Sequence, residues 1–119
     1  MKKFIWIHGP TILIILLIFF FSSIPKLNVP DINFSLQDKF FHVIEFGIFG
    51  FFLQRSYYSL TKKLYNSFIM VFFLGSMYGV LDEFHQSYIP GRLVSYNDMI
   101  ADALGVLCGQ VIFIFLRKK

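Results

Sequence analysis

Four long apolar segments constrain the fold of this chain more than any other feature. A helix needs about 20 residues to cross the roughly 30 Å hydrocarbon core of a bilayer, and segments at about 4–24, 38–57, 64–83 and 98–116 approach that length. The 119 residues are 56% hydrophobic and only 15% charged, which is too apolar for an ordinary soluble domain. The sequence therefore predicts one all-α domain over residues 1–119, a polytopic membrane protein with four transmembrane helices in a small bundle.

The positions of lysine and arginine predict the orientation of that bundle, because cytoplasmic loops carry an excess of both. With four spans, the N-terminus, the middle loop and the C-terminus share one side. That side holds eight of the eleven basic residues: Lys2, Lys3, Arg55, Lys62, Lys63, Arg117, Lys118 and Lys119. We therefore expect both termini in the cytoplasm. The basic residues form short juxtamembrane clusters, so membrane lipids are expected partners and nucleic acid is not.

The acidic residues show a sharper asymmetry. All seven fall in the opposite, outward half of the predicted bundle: Asp31, Asp38, Glu45, Asp82, Glu83, Asp98 and Asp102. Only Lys26, Lys39 and Arg92 accompany them there. Solubility alone does not explain this segregation, since the cytoplasmic loop could carry carboxylates equally well. The pattern indicates a function at the outward face.

Helical periodicity groups the acidic residues into stripes. Asp38, His42 and Glu45 fall within an arc of about 60° on the second helix. The stripe on the third helix contains Gly75, Gly79, Asp82 and Gln86, with Glu83 beside it, and that on the fourth contains Asp98, Asp102, Gly105 and Gly109. Because glycines permit close helix approach, we expect the third and fourth helices to pack together and the three stripes to meet. A carboxylate at membrane depth costs at least ~2.5 kcal/mol, so we expect Glu45 and Asp102 to face the interior and be paired.

Three motifs carry a resemblance to a known family. They are DKFFHVIEF at 38–46, DEFHQSYIPGR at 82–92 and DMIADALG at 98–105. Together they resemble the VanZ-like family of bacterial membrane proteins, and SSIP at 22–25 is similar to the family pattern as well. Two positions depart from it, with Phe46 where a tyrosine is common and Asp102 where an asparagine is usual. The resemblance implies a bacterial plasma-membrane protein associated with teicoplanin resistance.

The candidate site residues have two kinds of role. The candidates for acid/base chemistry are His42, Glu45, Asp82 and Glu83, and the candidates for binding are Asp38, Lys39, Gln86, Arg92, Asp98 and Asp102. Arg92 offers a planar fork for a phosphate group, or equally for Asp82, Glu83 or Asp98. His42 could act as a general base oriented by Glu45 or Asp38, a role that needs a neutral imidazole near a carboxylate.

The same side chains could bind a divalent cation, since Asp, Glu and His supply the oxygen and nitrogen ligands that such ions take. An ion-pair network in which Lys39 and Arg92 neutralise the acids is the favoured alternative. Cofactor use stays open on the sequence alone, as does the oligomeric state.

These residues lead to three functional hypotheses. The first is recognition of an envelope component, a lipid or lipid-linked cell-wall ligand, by an outward polar pocket that influences tolerance of lipoglycopeptide antibiotics. The second is a membrane enzyme, a metal-assisted hydrolase or transferase acting on a lipid headgroup or a polyprenyl-linked phosphate. The third is a structural or assembly protein without chemistry of its own.

Overall fold

The computed structural model describes residues 1–25 and 34–118, and over these residues it contains only helices, turns and coil. The helices are α1 (Lys2–Ser22), α2 (Phe34–Thr61), α3 (Leu64–Gln86) and α4 (Tyr96–Arg117). The prediction of an all-α fold with four helices is therefore confirmed. Three residues used in the charge analysis lie outside the described residues: Lys26, Asp31 and Lys119.

Three of the helices, α1, α3 and α4, are long and apolar enough to cross a membrane. Helix α2 is not among them, because its sequence carries Asp38, Lys39, His42 and Glu45 near one end and Arg55 near the other. It has 28 residues and packs against each of the other three helices. Many of its polar side chains therefore have protein neighbours.

An apolar layer fills the middle of the bundle. Ile18, Phe46, Phe49 and Val106 are buried there. The ring of Tyr78 packs 5.2 Å from that of Phe49 between centroids, and its hydroxyl donates a 2.9 Å hydrogen bond to the carbonyl of residue 15 in α1. This layer separates the polar side chains at one end of the bundle from those at the other.

The glycines of α3 and α4 serve two different interfaces. Gly75 and Gly79 face α4 as expected, since an added Cβ would lie 2.8 Å from the side chain of residue 106 or of Asp102. The expectation that Gly105 and Gly109 face α3 is wrong. An added Cβ at Gly105 would lie 2.6 Å from the carbonyl oxygen of residue 43, and one at Gly109 would overlap that of residue 47, both in α2. The buried stripe of α4 therefore contacts both α2 and α3. Helical periodicity alone does not reveal which of the two helices each residue faces.

The two ends of the bundle differ in charge. At the end we call the basic end, the His8 ring bonds the Ser56 hydroxyl, and the Arg117 guanidinium lies 4.6 Å above the Tyr58 ring. These contacts bring the beginning of α1 and the end of α4 to the end of α2. At the opposite end, which we call the acidic end, a loop with Gly91 at φ 78° joins α3 to α4.

Candidate functional site

Three helices bring polar side chains together at the acidic end. His42 of α2, Glu83 of α3, and Asp98 and Asp102 of α4 are all buried. Asp38 and Lys39 lie at their edge, half-buried. We call these six residues the polar cluster. Except for Lys39, its members come from the three acidic stripes identified in the sequence or, for Glu83, from a position beside one.

The His42 imidazole is held by Asp102. Its Nδ1 lies 2.7 Å from Asp102 Oδ1, and because an ionised carboxylate can only accept, Nδ1–H is the donor. Asp102, which stands where the resemblance leads one to expect an asparagine, is 0% exposed. The His42 imidazole is the hydrogen-bond partner of its carboxylate. The other ring nitrogen, Nε2, lies 3.8 Å from Asp98 Oδ2 and 3.9 Å from Asp38 Oδ2, which is too far for a hydrogen bond.

Ser95 connects α4 to α3 next to His42. Its hydroxyl caps α4 by accepting a 3.3 Å hydrogen bond from the Asp98 backbone N–H. Its own N–H donates to Glu83 Oε2 at 3.2 Å. The cap thus fixes Asp98 in the first turn of α4, where a negative charge is favoured by the helix dipole. The Lys39 ammonium forms an ion pair with Asp98 Oδ1 at 3.6 Å.

Two candidate acid/base residues lie outside the polar cluster. Asp82 is buried and accepts a 2.9 Å hydrogen bond from the Gln86 amide. Glu45 is half-buried, and no hydrogen bond or ion pair joins its carboxylate to the described residues. The expected pairing of Glu45 is therefore not found in the described part of the chain.

Arg92 makes a contact that the sequence did not suggest. Its Nε donates to the carbonyl of Ile24 and its Nη2 to that of Phe21, both at 2.9 Å. Phe21 lies in the last turn of α1 and Ile24 lies two residues beyond its end, in the region where carbonyls lack partners within the helix. Among the described residues, Arg92 therefore binds main chain and not a carboxylate.

The polar cluster holds more carboxylate oxygens than hydrogen-bond donors. Glu83 Oε1, Asp98 Oδ1 and Asp102 Oδ2 are buried without a hydrogen-bond partner among the described residues. Two overlapping sets of possible metal ligands share His42: one adds Asp38 and Asp98, the other Glu83 and Asp102. In each set the ligand atoms lie within 4.8 Å of one another. The arrangement can hold a cation or share protons.

Comparison with models of known protein families identifies the family of this chain. The model described as VanZ/LLP1 matches residues 7–117. The chain belongs to the VanZ/LLP1 family. The resemblance seen in the sequence motifs is thus confirmed, and the match includes the polar cluster. The searches of curated proteins and of solved structures give no significant match.

A second buried network in this VanZ-like protein lies toward the basic end. The Gln110 amide donates to Gln54 Oε1 at 2.7 Å and to the carbonyl of residue 68 at 2.8 Å. The Gln54 amide in turn donates to the Ser67 hydroxyl at 2.9 Å. Sequence analysis missed this network, although a lone glutamine in an apolar span is a signal, because a polar group in lipid needs a partner.

His85 also links two helices of the VanZ-like bundle. Its Nε2 lies 2.8 Å from the Ser23 hydroxyl, and its ring stacks on Phe19 at 4.6 Å between centroids. It therefore ties the end of α3 to the end of α1. This histidine is at the acidic end but outside the polar cluster, which makes it a useful control for His42.

An apolar groove of about 380 Å³ runs between α2 and α4. It is entirely apolar at its surface, and it begins beside His42 in the sequence. The lining residues are Val43, Ile44, Gly47, Ile48, Phe51, Phe52, Cys108, Gly109 and Ile112.

Proposed function

We propose that this VanZ-like protein spans the bacterial plasma membrane four times, with both termini in the cytoplasm. We propose that the outer surface of the acidic end recognises an anionic lipid or lipid-linked component of the envelope. We call this surface the rim; its residues are Lys39, Phe84, Tyr88, Arg92, Leu93 and Tyr96. By binding that component the protein influences tolerance of teicoplanin and related lipoglycopeptides. The observation that carries the proposal is the presence of two cationic side chains, Lys39 and Arg92, on an acidic end walled by exposed aromatic and apolar side chains.

Helix α2 fits as the fourth span although its composition is polar. A helix of 28 residues is about 42 Å long at 1.5 Å per residue, which exceeds the roughly 30 Å of a hydrocarbon core. Its ionisable groups lie toward its two ends except for Glu45, which adjoins the middle of the helix, and the middle contributes Phe46 and Phe49 to the buried apolar layer. The positions of the basic residues support an outward location of the acidic end.

The two cations at the rim suit an anionic headgroup. Arg92 uses Nε and Nη2 to hold α1, and its Nη1 has no hydrogen-bond partner among the described residues. An arginine fork can donate to a phosphate while it keeps contacts to main chain, since it carries five N–H donors. Lys39 is half-buried, with its ammonium close to Asp98.

The surroundings of the rim suit the apolar part of such a ligand. Phe84, Tyr88, Leu93 and Tyr96 are each more than half exposed, and all four lie near the α3–α4 loop. Below the rim, the groove between α2 and α4 offers an apolar surface, which in a bilayer faces acyl chains. We propose that an acyl or polyprenyl chain of the ligand lies in this groove.

Binding is favoured over catalysis by the burial of the candidate acid/base residues. A general acid or base must come within about 3 Å of the proton that it transfers, directly or through one water. Three of the four candidates, His42, Asp82 and Glu83, are buried against neighbouring helices, and only Glu45 is half-buried. The exposed groups of the rim suit contact with a ligand.

Expression of the protein in a teicoplanin-sensitive bacterium tests the proposal. We expect the minimal inhibitory concentration of teicoplanin to rise, and Arg92→Ala to remove most of that rise. Arg92→Lys keeps the charge but loses the fork, so we expect an intermediate value. Arg55→Ala, an arginine at the basic end, is the matched control and keeps the full rise.

The amount of folded protein in the membrane is measured for each variant by size-exclusion chromatography of a fluorescent fusion. If correctly inserted wild-type protein leaves teicoplanin tolerance unchanged, the resistance role is wrong. If Arg92→Ala gives the full rise in the minimal inhibitory concentration of teicoplanin, Arg92 is not part of the ligand-binding rim.

A further inference from the structure

We propose that the polar cluster binds one divalent transition-metal ion, with Nε2 of His42 and the carboxylates of Asp38 and Asp98 as ligands. Glu83 supplies a further nearby carboxylate. Asp102 is a positioning residue that orients the imidazole. The inference concerns the protein alone and does not depend on the proposed envelope ligand.

The distances around Nε2 are short enough for the side chains to close on one ion. Two ligand atoms that each lie about 2.1 Å from a metal are at most about 4.2 Å apart. Nε2 lies 3.8 Å from Asp98 Oδ2 and 3.9 Å from Asp38 Oδ2, which is too long for hydrogen bonds but within this limit. An ion can therefore bridge these atoms with small side-chain movements.

Because Nδ1 of His42 bonds Asp102, Nε2 is the ring nitrogen that can bind a metal. Nδ1–H donates to Asp102 Oδ1 at 2.7 Å, so a neutral imidazole presents the lone pair of Nε2. Metal-binding histidines commonly donate their other N–H to a carboxylate in this way, which fixes the tautomer and the ring orientation.

The buried charges of the polar cluster call for a further cation. Glu83 and Asp102 each have a buried carboxylate oxygen without a hydrogen-bond donor in the described structure, and both residues are 0% exposed. Asp98 Oδ1 likewise has no hydrogen bond there and has the Lys39 ammonium at 3.6 Å. A carboxylate oxygen of Glu83 lies within 4.8 Å of ligand atoms on His42 and Asp102. In the described part of the chain, Arg92 does not join the ion-pair network favoured from sequence alone, since it binds main chain instead.

Lys39 is compatible with a metal at this position. Its ammonium approaches Asp98 Oδ1, whereas the oxygen nearest to His42 Nε2 is Oδ2. The two oxygens of one carboxylate can therefore serve the lysine and the metal separately.

The ligand set selects the kind of ion. One imidazole nitrogen with carboxylate oxygens suits Zn²⁺ or Mn²⁺. Mg²⁺ and Ca²⁺ prefer sites made of oxygen alone. We therefore expect Zn²⁺ or Mn²⁺ to bind more tightly than Mg²⁺.

Metal titration of the purified full-length protein in detergent tests this inference. After treatment with a chelator and its removal, wild-type protein should bind one Zn²⁺ or Mn²⁺ per chain, measured by calorimetry and elemental analysis. We expect His42→Gln to weaken binding by more than 100-fold. Asp102→Asn should weaken it by about 10- to 100-fold, as loss of an orienting partner does. His85→Gln, a histidine at the same end, should bind like wild type.

Pulsed electron paramagnetic resonance of the Mn²⁺-loaded wild type adds a readout that does not need a variant. An imidazole nitrogen coupled to the ion is the expected result. If His42→Gln does not fold, the metal site is tested by the nitrogen coupling in the wild type and by the metal affinity of Asp98→Asn, which we expect to be weaker. Folded wild-type protein that binds neither ion, a bound Mn²⁺ without nitrogen coupling, or a folded His42→Gln variant with wild-type affinity would each overturn the inference.

Discussion

The close contact of α2 with α4 gives the sharpest stability prediction, for Gly50→Ala. A Cβ at Gly50 would lie 2.5 Å from the carbonyl oxygen of Val106 and 2.7 Å from its Cα. Carbon atoms in contact are usually about 3.5 Å apart or more, so the helices must separate by about 0.8 Å. The obstructing atoms are backbone, which cannot rotate away as a side chain can. The substitution therefore shifts a whole helix.

Gly47→Ala is the matched control, on the same helix and beside the same neighbour. A Cβ there would lie 3.5 Å from the carbonyl oxygen of Gly105, an ordinary contact. Both substitutions gain the same helix propensity, roughly 1 kcal/mol in soluble hosts, so this gain cancels in the comparison. Overpacking typically costs about 1–3 kcal/mol. We expect Gly50→Ala to be less stable than Gly47→Ala by about that amount.

Reversible unfolding by sodium dodecyl sulfate in mixed micelles, followed by far-ultraviolet circular dichroism, measures the difference. We expect Gly50→Ala to unfold at a lower detergent fraction and Gly47→Ala to unfold at or above the wild-type value. If the two variants unfold together, the α2–α4 backbones are not as close as described.

Two further predictions concern the basic-end network and the orientation. Gln54→Leu should destabilise the protein by about 1–3 kcal/mol, because one of the two N–H groups of the buried Gln110 amide loses its acceptor while the other keeps the carbonyl of residue 68, whereas Gln54→Leu with Gln110→Leu should recover part of that loss in the same assay. The orientation is tested with single cysteines in a Cys108→Ala background, at Tyr88→Cys of the acidic end and Tyr65→Cys of the basic end, which replace side chains that are 79% and 76% exposed. A membrane-impermeant maleimide added to intact cells should label Tyr88→Cys and not Tyr65→Cys. The reverse pattern would invert the proposed topology.

Much of the fold was predictable because apolar length and helical period are local properties. The predicted segments at about 64–83 and 98–116 fall within α3 and α4, and the predicted buried stripes of both helices are buried. The partner of each stripe was less predictable. Gly105 and Gly109 have the spacing of a close helix contact, but the spacing is the same whether the neighbour is α3 or α2.

The site was predictable in its membership and less so in its contacts. Charge segregation pointed to His42, Asp98 and Asp102, which do meet. The contact of Arg92 with α1 was hidden, because its acceptors are carbonyl oxygens that every residue possesses. The pairing of Gln54 with Gln110 was hidden for another reason, since it joins residues 56 positions apart.

The central position of α2 has a consequence for biogenesis. Its ionisable residues make it a poor candidate for independent release from the translocon into lipid, and their partner Asp102 lies 60 residues beyond His42. On the proposed four-span topology, the nascent chain would keep α2 next to protein or water until α4 has been synthesised. Stable integration of the second helix is then a late event, completed only when the fourth arrives.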